Sequence, residues 1–417
     1  MLMIIRFLII PVIALLVDAY FYQGVRSLTV KWHIKPKKRL AIAYWSVSAL
    51  AIIHLIIAAI LNKGYTNMVH VMYAFDIVMI LTIGKIIGSI PLLVNDLYRG
   101  IRLIEGLFHA KKQIGDEAPK LNRLQFFNKA AVGLAAIPMV AMVYGMIKTA
   151  FDFSVKKVVL TFPNLPDGFD GFKFVQISDI HTGSFLSDSH FRNAINLIGE
   201  QKPEAIFFTG DLVNNVSDEA TRFMPVLSTL NAPMGVFSTL GNHDYGDYVQ
   251  DWESKAAKDA NLARIIEIHS QMGWNLLMNK NVTLTRNGSQ IALVGVENWG
   301  AKHGFSQYGD LEKAVIGTED KAFKILLSHD PSHWDAKVRP LHPDIDLTLS
   351  GHTHGFQVGI EIPGFKWSPS QYLYEQWAGL YQKGKQYIYV NRGFGFLGYL
   401  GRVGIPPEIT VFELKKG

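Results

Sequence analysis

Gln176-Ile177-Ser178-Asp179-Ile180-His181 joins an apolar run to a carboxylate and an imidazole two positions apart, and the same kind of junction recurs four more times. Phe208 leads into Thr209-Gly210-Asp211, and Leu240 into Gly241-Asn242-His243-Asp244. Leu327 leads into Ser328-His329-Asp330-Pro331, and Leu349 into Ser350-Gly351-His352-Thr353-His354. The runs ahead of these junctions, at 172–177, 205–208, 235–240, 324–327 and 345–349, are short and apolar and read as strands. Further strands are expected at 158–161, 291–296, 387–390 and 409–412, with helices at 188–201 and 217–230 between some of them. Strands alternating with helices imply a layered α/β fold. In open α/β sheets, sites form beyond the carboxyl ends of the strands, and all five clusters fall there.

The side chains in these clusters are carboxylates, one amide and imidazoles. That mixture suits Mn, Fe, Zn or Co better than Ca or a thiolate-seeking metal. Gly210, Gly241 and Gly351 each precede a ligand-type residue, where glycine lets the backbone turn sharply and come close. Any one of these histidines, read alone, fits a satisfied core residue. Five clusters at five strand ends do not fit that reading. His190, His269, His303, His333 and His342 belong to no pattern and read as surface or core.

Charge divides the 417 residues into two parts. Residues 1–150 hold 17 Lys and Arg against 6 Asp and Glu, and residues 151–417 hold 24 against 29. The net charge of +6 is therefore no sign of nucleic-acid binding, and no nucleic-acid partner is expected. There is no cysteine, which excludes disulfides and thiolate ligands and settles no compartment. The expected organisation is a helical transmembrane domain over 1–150 and a catalytic domain over 151–417.

Spanning a bilayer takes about 20 mostly apolar residues, and segments near 2–22, 40–61, 69–95 and 130–148 qualify. One of them read as a buried or re-entrant helix would break the alternation. The third, holding Asp76, Gly84, Lys85, Gly88 and Pro91, is the weakest. Arg26, Lys31, Lys35, Lys37, Lys38 and Arg39 fill the first loop, against Lys63 alone in the second. Arg99, Arg102, Lys111, Lys112, Lys120, Arg123 and Lys129 fill the third. The positive-inside rule puts the first and third loops in the cytoplasm and the domain after residue 150 outside. Lys148, Lys156 and Lys157 argue the other way. Asp18, Asp76, Lys85, His54 and His70 lie in or near apolar runs, as functional groups or as groups that pair with each other or sit near helix ends.

The set Asp179-x-His181, Gly210-Asp211, Gly241-Asn242-His243-Asp244, His329 and Gly351-His352-Thr353-His354 resembles the full signature of the calcineurin-like metallophosphoesterase superfamily over about 170–356. Within it the chain looks most like the membrane-linked branch of YkuE-like phosphoesterases and vertebrate transmembrane proteins with a metallophosphoesterase domain. Gly404-Ile405-Pro406-Pro407-Glu408-Ile409 resembles that branch too. The resemblance implies a fold of about four transmembrane helices followed by a layered β-sandwich flanked by helices. It implies two divalent metal ions, one held by Asp179, His181 and His354, the other by Asn242, His329 and His352, with Asp211 bridging. His243 then faces the substrate, oriented by Asp244. The implied reaction is hydrolysis of a phosphoester, with a phosphodiester favoured, by a hydroxide formed from water between the two metals.

The membrane segments and the aromatic stretch 356–400 lean toward a lipid or envelope-associated substrate, the aromatics forming an apolar wall or instead packing under the C-terminal strands. Two other readings stay open. One is a membrane sensor or receptor with a regulatory phosphoesterase domain, which the complete ligand set argues against. The other is a transport role for the four spans.

Overall fold

A computed structural model describes residues 2–62, 68–108 and 118–417. The chain divides into two compact units, Met1–Tyr144 and Gly145–Gly417. The first unit is built on four helices, α1 (Leu2–Leu28), α2 (Ile34–Leu61), α3 (Met68–Phe108) and α4 (Ala118–Ile147). All four are long and apolar enough to cross a membrane.

The helices outlast the apolar runs that announced them. α3 has 41 residues, about 60 Å at 1.5 Å per residue, and so exceeds a hydrocarbon core of about 30 Å. Pro91 does not end it. Gly84 and Gly88 have a packing reason: a Cβ on either would strike the backbone carbonyl of Ala135 or Ala131 on α4. Small residues of this kind let membrane helices approach closely.

Lys85 meets the Asp18 carboxylate inside the bundle, and its ammonium also donates to Ser48 Oγ at 2.9 Å. Tyr44 Oη donates to Asp18 Oδ1 at 3.1 Å. Asp76 is buried, whereas His54 and His70 are exposed. Lys63, Lys111 and Lys112 of the loop-charge argument lie outside the described residues, as do the side chains of Lys120 and Arg123.

The second unit begins with β1 (Ser154–Phe162), β2 (Phe172–Ile177), β3 (Ala205–Phe208), β4 (Val236–Ser238) and β5 (Trp274–Leu276). It continues through β6 (Lys280–Arg286), β7 (Ser289–Gly295), β8 (Lys324–Leu327) and β9 (Leu347–Ser350). Then come the hairpin strands β10 (Ile360–Ile362) and β11 (Phe365–Trp367), followed by β12 (Gly379–Lys383), β13 (Gln386–Val390) and β14 (Glu408–Lys416). One six-stranded sheet has the order β1-β14-β2-β3-β4-β5 and the other β12-β13-β9-β8-β7-β6. Neighbours β2, β3, β4 and β5 run parallel, as do β7, β8, β9 and β13, so each sheet sends several strand ends to one edge.

Alternate residues of the two sheets meet in one core. Phe172, Phe174, Phe207 and Phe412 come from the first sheet, and Ile291, Leu293, Ile325 and Leu347 from the second. β3, β8 and β9 are buried at every position because both of their faces are covered. A helix, α5 (Ser189–Glu200), follows β2 as expected. The helix expected over 217–230 is two short helices instead, Asp218–Thr221 and Met224–Leu227. Pro225 lacks an N–H and disfavours helical backbone just before it, so it starts the second piece rather than continuing the first.

Candidate active site

The five clusters leave the carboxyl ends of β2, β3, β4, β8 and β9. Five of their residues hold left-handed backbone that non-glycine residues rarely adopt: Asp179 (φ 54°), His181 (51°), Asp211 (61°), His352 (71°) and His354 (51°). Strain of this kind persists only where surrounding structure enforces it, and it gathers at functional sites. The glycines make room for it. A Cβ on Gly351 would run into Ser178 Oγ and the Asp179 carboxylate.

Two groups of donors result. Asp179, His181 and His354 present ligand atoms within 4.8 Å of one another, and so do Asp211, His329 and His352. Asp211 Oδ2 faces both groups, 3.6 Å from His181 Nε2 and 3.1 Å from His329 Nε2. Asn242 joins the second group, its Oδ1 lying 3.1 Å from His329 Nε2 and 2.8 Å from His352 Nδ1.

The hydrogen bonds test whether this donor set fits a cation. His329 Nδ1 lies 2.7 Å from the Thr209 carbonyl, so it carries the proton and donates there. A neutral His329 then turns a bare Nε2 toward Asp211 Oδ2 and Asn242 Oδ1. The Asn242 amide nitrogen donates to Tyr248 Oη at 2.8 Å, which fixes its oxygen inward. Three acceptors aimed at one point need positive charge there, either a proton or a metal ion.

The first group repeats the pattern. His181 Nδ1 donates to Asn214 Oδ1 at 3.1 Å, leaving Nε2 3.0 Å from His354 Nε2. Burial takes His181 down to about 3, His352 to about 4 and His354 well below its ordinary value. All three are therefore neutral at pH 7, the form that ligates a metal. His329 differs. Burial opposes its charge, but Asp211 and Asp179 more than offset that and carry it up to about 10. The residues fit a pair of divalent cations.

Asp244 departs from expectation. Its carboxylate does not reach the His243 ring; it accepts backbone N–H groups from Asp211, Leu212, Val213 and Gly241. It braces the Asp211 loop. The His243 ring is held by the Asn214 carbonyl, 2.6 Å from Nδ1, and the His243 backbone N–H donates to Asp211 Oδ1 at 2.9 Å. Asn214 thus orients two site histidines. It belongs to none of the five clusters as read from the sequence, but it sits three positions past Asp211 in the same strand-end loop.

A cavity of about 470 Å³ opens over Asp211, Asn242, His243, His352 and His354. His303, expected as surface or core, lines it together with Lys302. Both follow the carboxyl end of β7, the same position in the sheet as the other clusters, and that signal was available. Lys302 Nζ lies 3.7 Å from the Tyr374 ring centroid, and Tyr374 Oη lies 2.8 Å from His352 Nε2. Of the other histidines left without a pattern, His269, His333 and His342 are buried away from this cavity.

Residues 172–356 match the family model described as "Calcineurin-like phosphoesterase". Residues 3–150 match the model "Probable Calcineurin-like phosphoesterase, transmembrane domain". The metallophosphoesterase YkuE of Bacillus subtilis, itself uncharacterised, is 34% identical over 255 residues, covering 60% of this chain and 82% of that protein. The chain belongs to the calcineurin-like phosphoesterase family. A zebrafish (Danio rerio) transmembrane protein with a metallophosphoesterase domain is 29% identical over 291 residues, 67% of this chain and 61% of its own length. The UDP-2,3-diacylglucosamine pyrophosphatase LpxG of Chlamydia muridarum is 27% identical over 287 residues, 58% of this chain and 83% of that protein. This family member is an integral membrane protein, with four membrane-capable helices ahead of its phosphoesterase domain.

Proposed function

We propose that this chain is a membrane-anchored, two-metal hydrolase that cleaves a phosphodiester or pyrophosphate bond in a lipid or envelope-associated substrate. The observation that carries the reading is the sharing of Asp211 between two converging donor groups. Asp179, His181, His354 and Asp211 would hold one divalent cation, and Asn242, His329, His352 and Asp211 the other. When bound, two such ions polarise phosphoryl oxygens and lower the pKa of water, so that hydroxide is available near neutral pH. The oxygen, amide and imidazole donors suit Mn, Fe, Zn or Co.

The chain's own residues supply the rest. His243 donates from Nδ1 to the Asn214 carbonyl, which leaves Nε2 for the substrate. His243 stabilises a phosphoryl oxygen or protonates the leaving oxygen, a contribution of about 10²–10⁴-fold. Lys302 adds a cationic wall to the cavity, where negative charge on the phosphoryl group gathers. Tyr374 accepts from His352 Nε2–H and so turns the Nδ1 lone pair inward.

The membrane helices support a substrate in or near the bilayer, and the pyrophosphate-bearing lipid in the name of LpxG supports the same class. Loop charge supports an extracytoplasmic site, which reporter fusions at the C-terminus test directly.

Hydrolysis of a bis-aryl phosphodiester by the purified full-length chain with Mn²⁺ tests the activity. His243→Ala should keep its metal and lose about 10²–10⁴ in kcat. Turnover of the variant near the wild-type rate removes His243 from the chemistry, and no turnover by a metal-loaded wild type overturns the reading.

A further inference from the structure

The hairpin β10–β11 is inside out. In its register Ile360 pairs with Trp367, Glu361 with Lys366, and Ile362 with Phe365. Alternation therefore puts Ile360, Ile362, Phe365 and Trp367 on one face and Glu361 and Lys366 on the other. In a water-soluble domain the apolar face would be the covered one. Here Glu361 and the Lys366 ammonium reach toward the domain, although Lys366 as a residue stays exposed. Glu361 is paired with Arg392 at 3.0 Å and Lys156 at 3.5 Å. Lys366 Nζ donates to the Ala378 carbonyl at 2.5 Å and lies 4.7 Å from the Trp377 ring centroid. Three of the four apolar side chains are left outside, Ile360 48%, Ile362 59% and Phe365 52% exposed, and Trp367 is half-buried.

The tip is well formed. Pro363-Gly364, with Gly364 at φ 80°, is the pair a tight type II turn requires. Tyr372 joins the apolar surface, its Oη accepting from Trp367 Nε1 at 3.3 Å. Phe356 and Leu373 are exposed and line the catalytic cavity, and Tyr372 is exposed beside Leu373. Tyr and Trp with one apolar and one polar end are the side chains that favour the bilayer–water interface.

We infer that the hairpin Ile360–Trp367 seats its apolar face in the interfacial layer of the bilayer, and that Phe356 and Leu373 continue this surface into the catalytic cavity. The occupant is lipid because this chain is already a membrane protein and because the register gives this face only Ile360, Ile362, Phe365 and Trp367. An acyl-bearing substrate then slides from the bilayer along Leu373 and Phe356 with its phosphoryl group leading toward Asp211 and His243. The inference rests on the membrane-linked phosphodiesterase reading above and adds where the lipid enters.

The chain has no native cysteine, so single labels are clean. Full-length I362C and F365C, each carrying a fluorophore and reconstituted in phosphatidylglycerol–phosphatidylcholine vesicles, are exposed to nitroxide-bearing lipids. D320C, on an exposed side chain, is the control. The hairpin labels should be quenched at least about twofold more than the control, as expected for side chains 5–10 Å into the headgroup boundary. Quenching equal to the control overturns the inference.

Ile362→Ser with Phe365→Ser should lower kcat/KM on a vesicle-borne phosphodiester lipid by about tenfold, while turnover of a soluble aryl phosphodiester stays unchanged and reports an intact fold. Equal turnover of the vesicle substrate also overturns it. The two readings fail separately. Quenched labels with no lipid turnover by the wild type leave the membrane contact standing and remove the lipid substrate. Unquenched labels with intact soluble turnover remove the membrane contact and leave the phosphodiesterase activity standing.

Discussion

Both units of this protein bury charge, and they do it differently. In the helical unit Lys85 and Asp18 meet as one cation and one anion, with Ser48 and Tyr44 filling remaining hydrogen-bond positions. The cluster is complete as it stands. In the phosphoesterase domain Asp179, Asp211, Asn242 and four histidines turn acceptor atoms toward one another, and the backbone around five of these residues is strained. That cluster is incomplete without added positive charge. A closed pair points to packing in a low-dielectric medium, whereas converging acceptors point to a ligand.

The contrast breaks most sharply at Asp211. Asp211→Ala should lower kcat/KM on an aryl phosphodiester by about 10³-fold or more, because it removes a donor common to both groups. A loss below about tenfold would leave the shared carboxylate without a function.

In the helical unit, Lys85→Met leaves Asp18 buried and unpaired, a cost of about 3–5 kcal/mol, seen as lower thermal stability in detergent. The double variant Lys85→Met/Asp18→Leu should recover most of that, with phosphodiester turnover unchanged throughout. A double variant as unstable as the single one would mean the pair does more than close itself.

A smaller effect is expected at Tyr374. Tyr374→Phe removes the partner of His352 Nε2 and should weaken metal affinity by about 10-fold, measured by competition with a chelating dye. Unchanged affinity would show that packing alone orients the ring.

The least effect is one of pH. His329, raised from an ordinary 6.5 to about 10, binds its proton more tightly in the folded state. Its stabilisation of metal-free protein is complete below about pH 6.5 and is lost as pH rises toward 10. Burial also raises Asp179 to about 6 and Asp244 to about 7, which lowers stability with rising pH below that window. The Tm of chelated protein should therefore fall by several degrees from pH 7 to 9, while metal-loaded protein, with a cation in place of the proton, changes less. A flat profile for the chelated form would contradict the charge deficit.

The site was legible because its donors sit at strand ends and keep one order along the chain. Strands 172–177, 205–208 and 324–327 fall where the apolar runs placed them, since both ends are marked by polar or glycine residues. Helix limits were less legible. α3 runs on to Phe108 past its apolar run, through polar turns in which Arg99 pairs with Asp96 and Arg102 with Glu105.

The orienting partners were least legible. Asn214 holds His243 through a backbone carbonyl, which no side-chain pattern reports. Asp244, adjacent in sequence to His243, serves the neighbouring loop. The inverted hairpin shows the limit of periodicity. Ile360-Glu361-Ile362 predicts two faces, and only the packing of Glu361 against Arg392 says which one is outside.

The central claim is that two cations share Asp211. Elemental analysis of the purified full-length chain should give two divalent ions per wild-type chain and close to none in Asp211→Ala, with the same oligomeric profile for both. Full metal content in Asp211→Ala would contradict it.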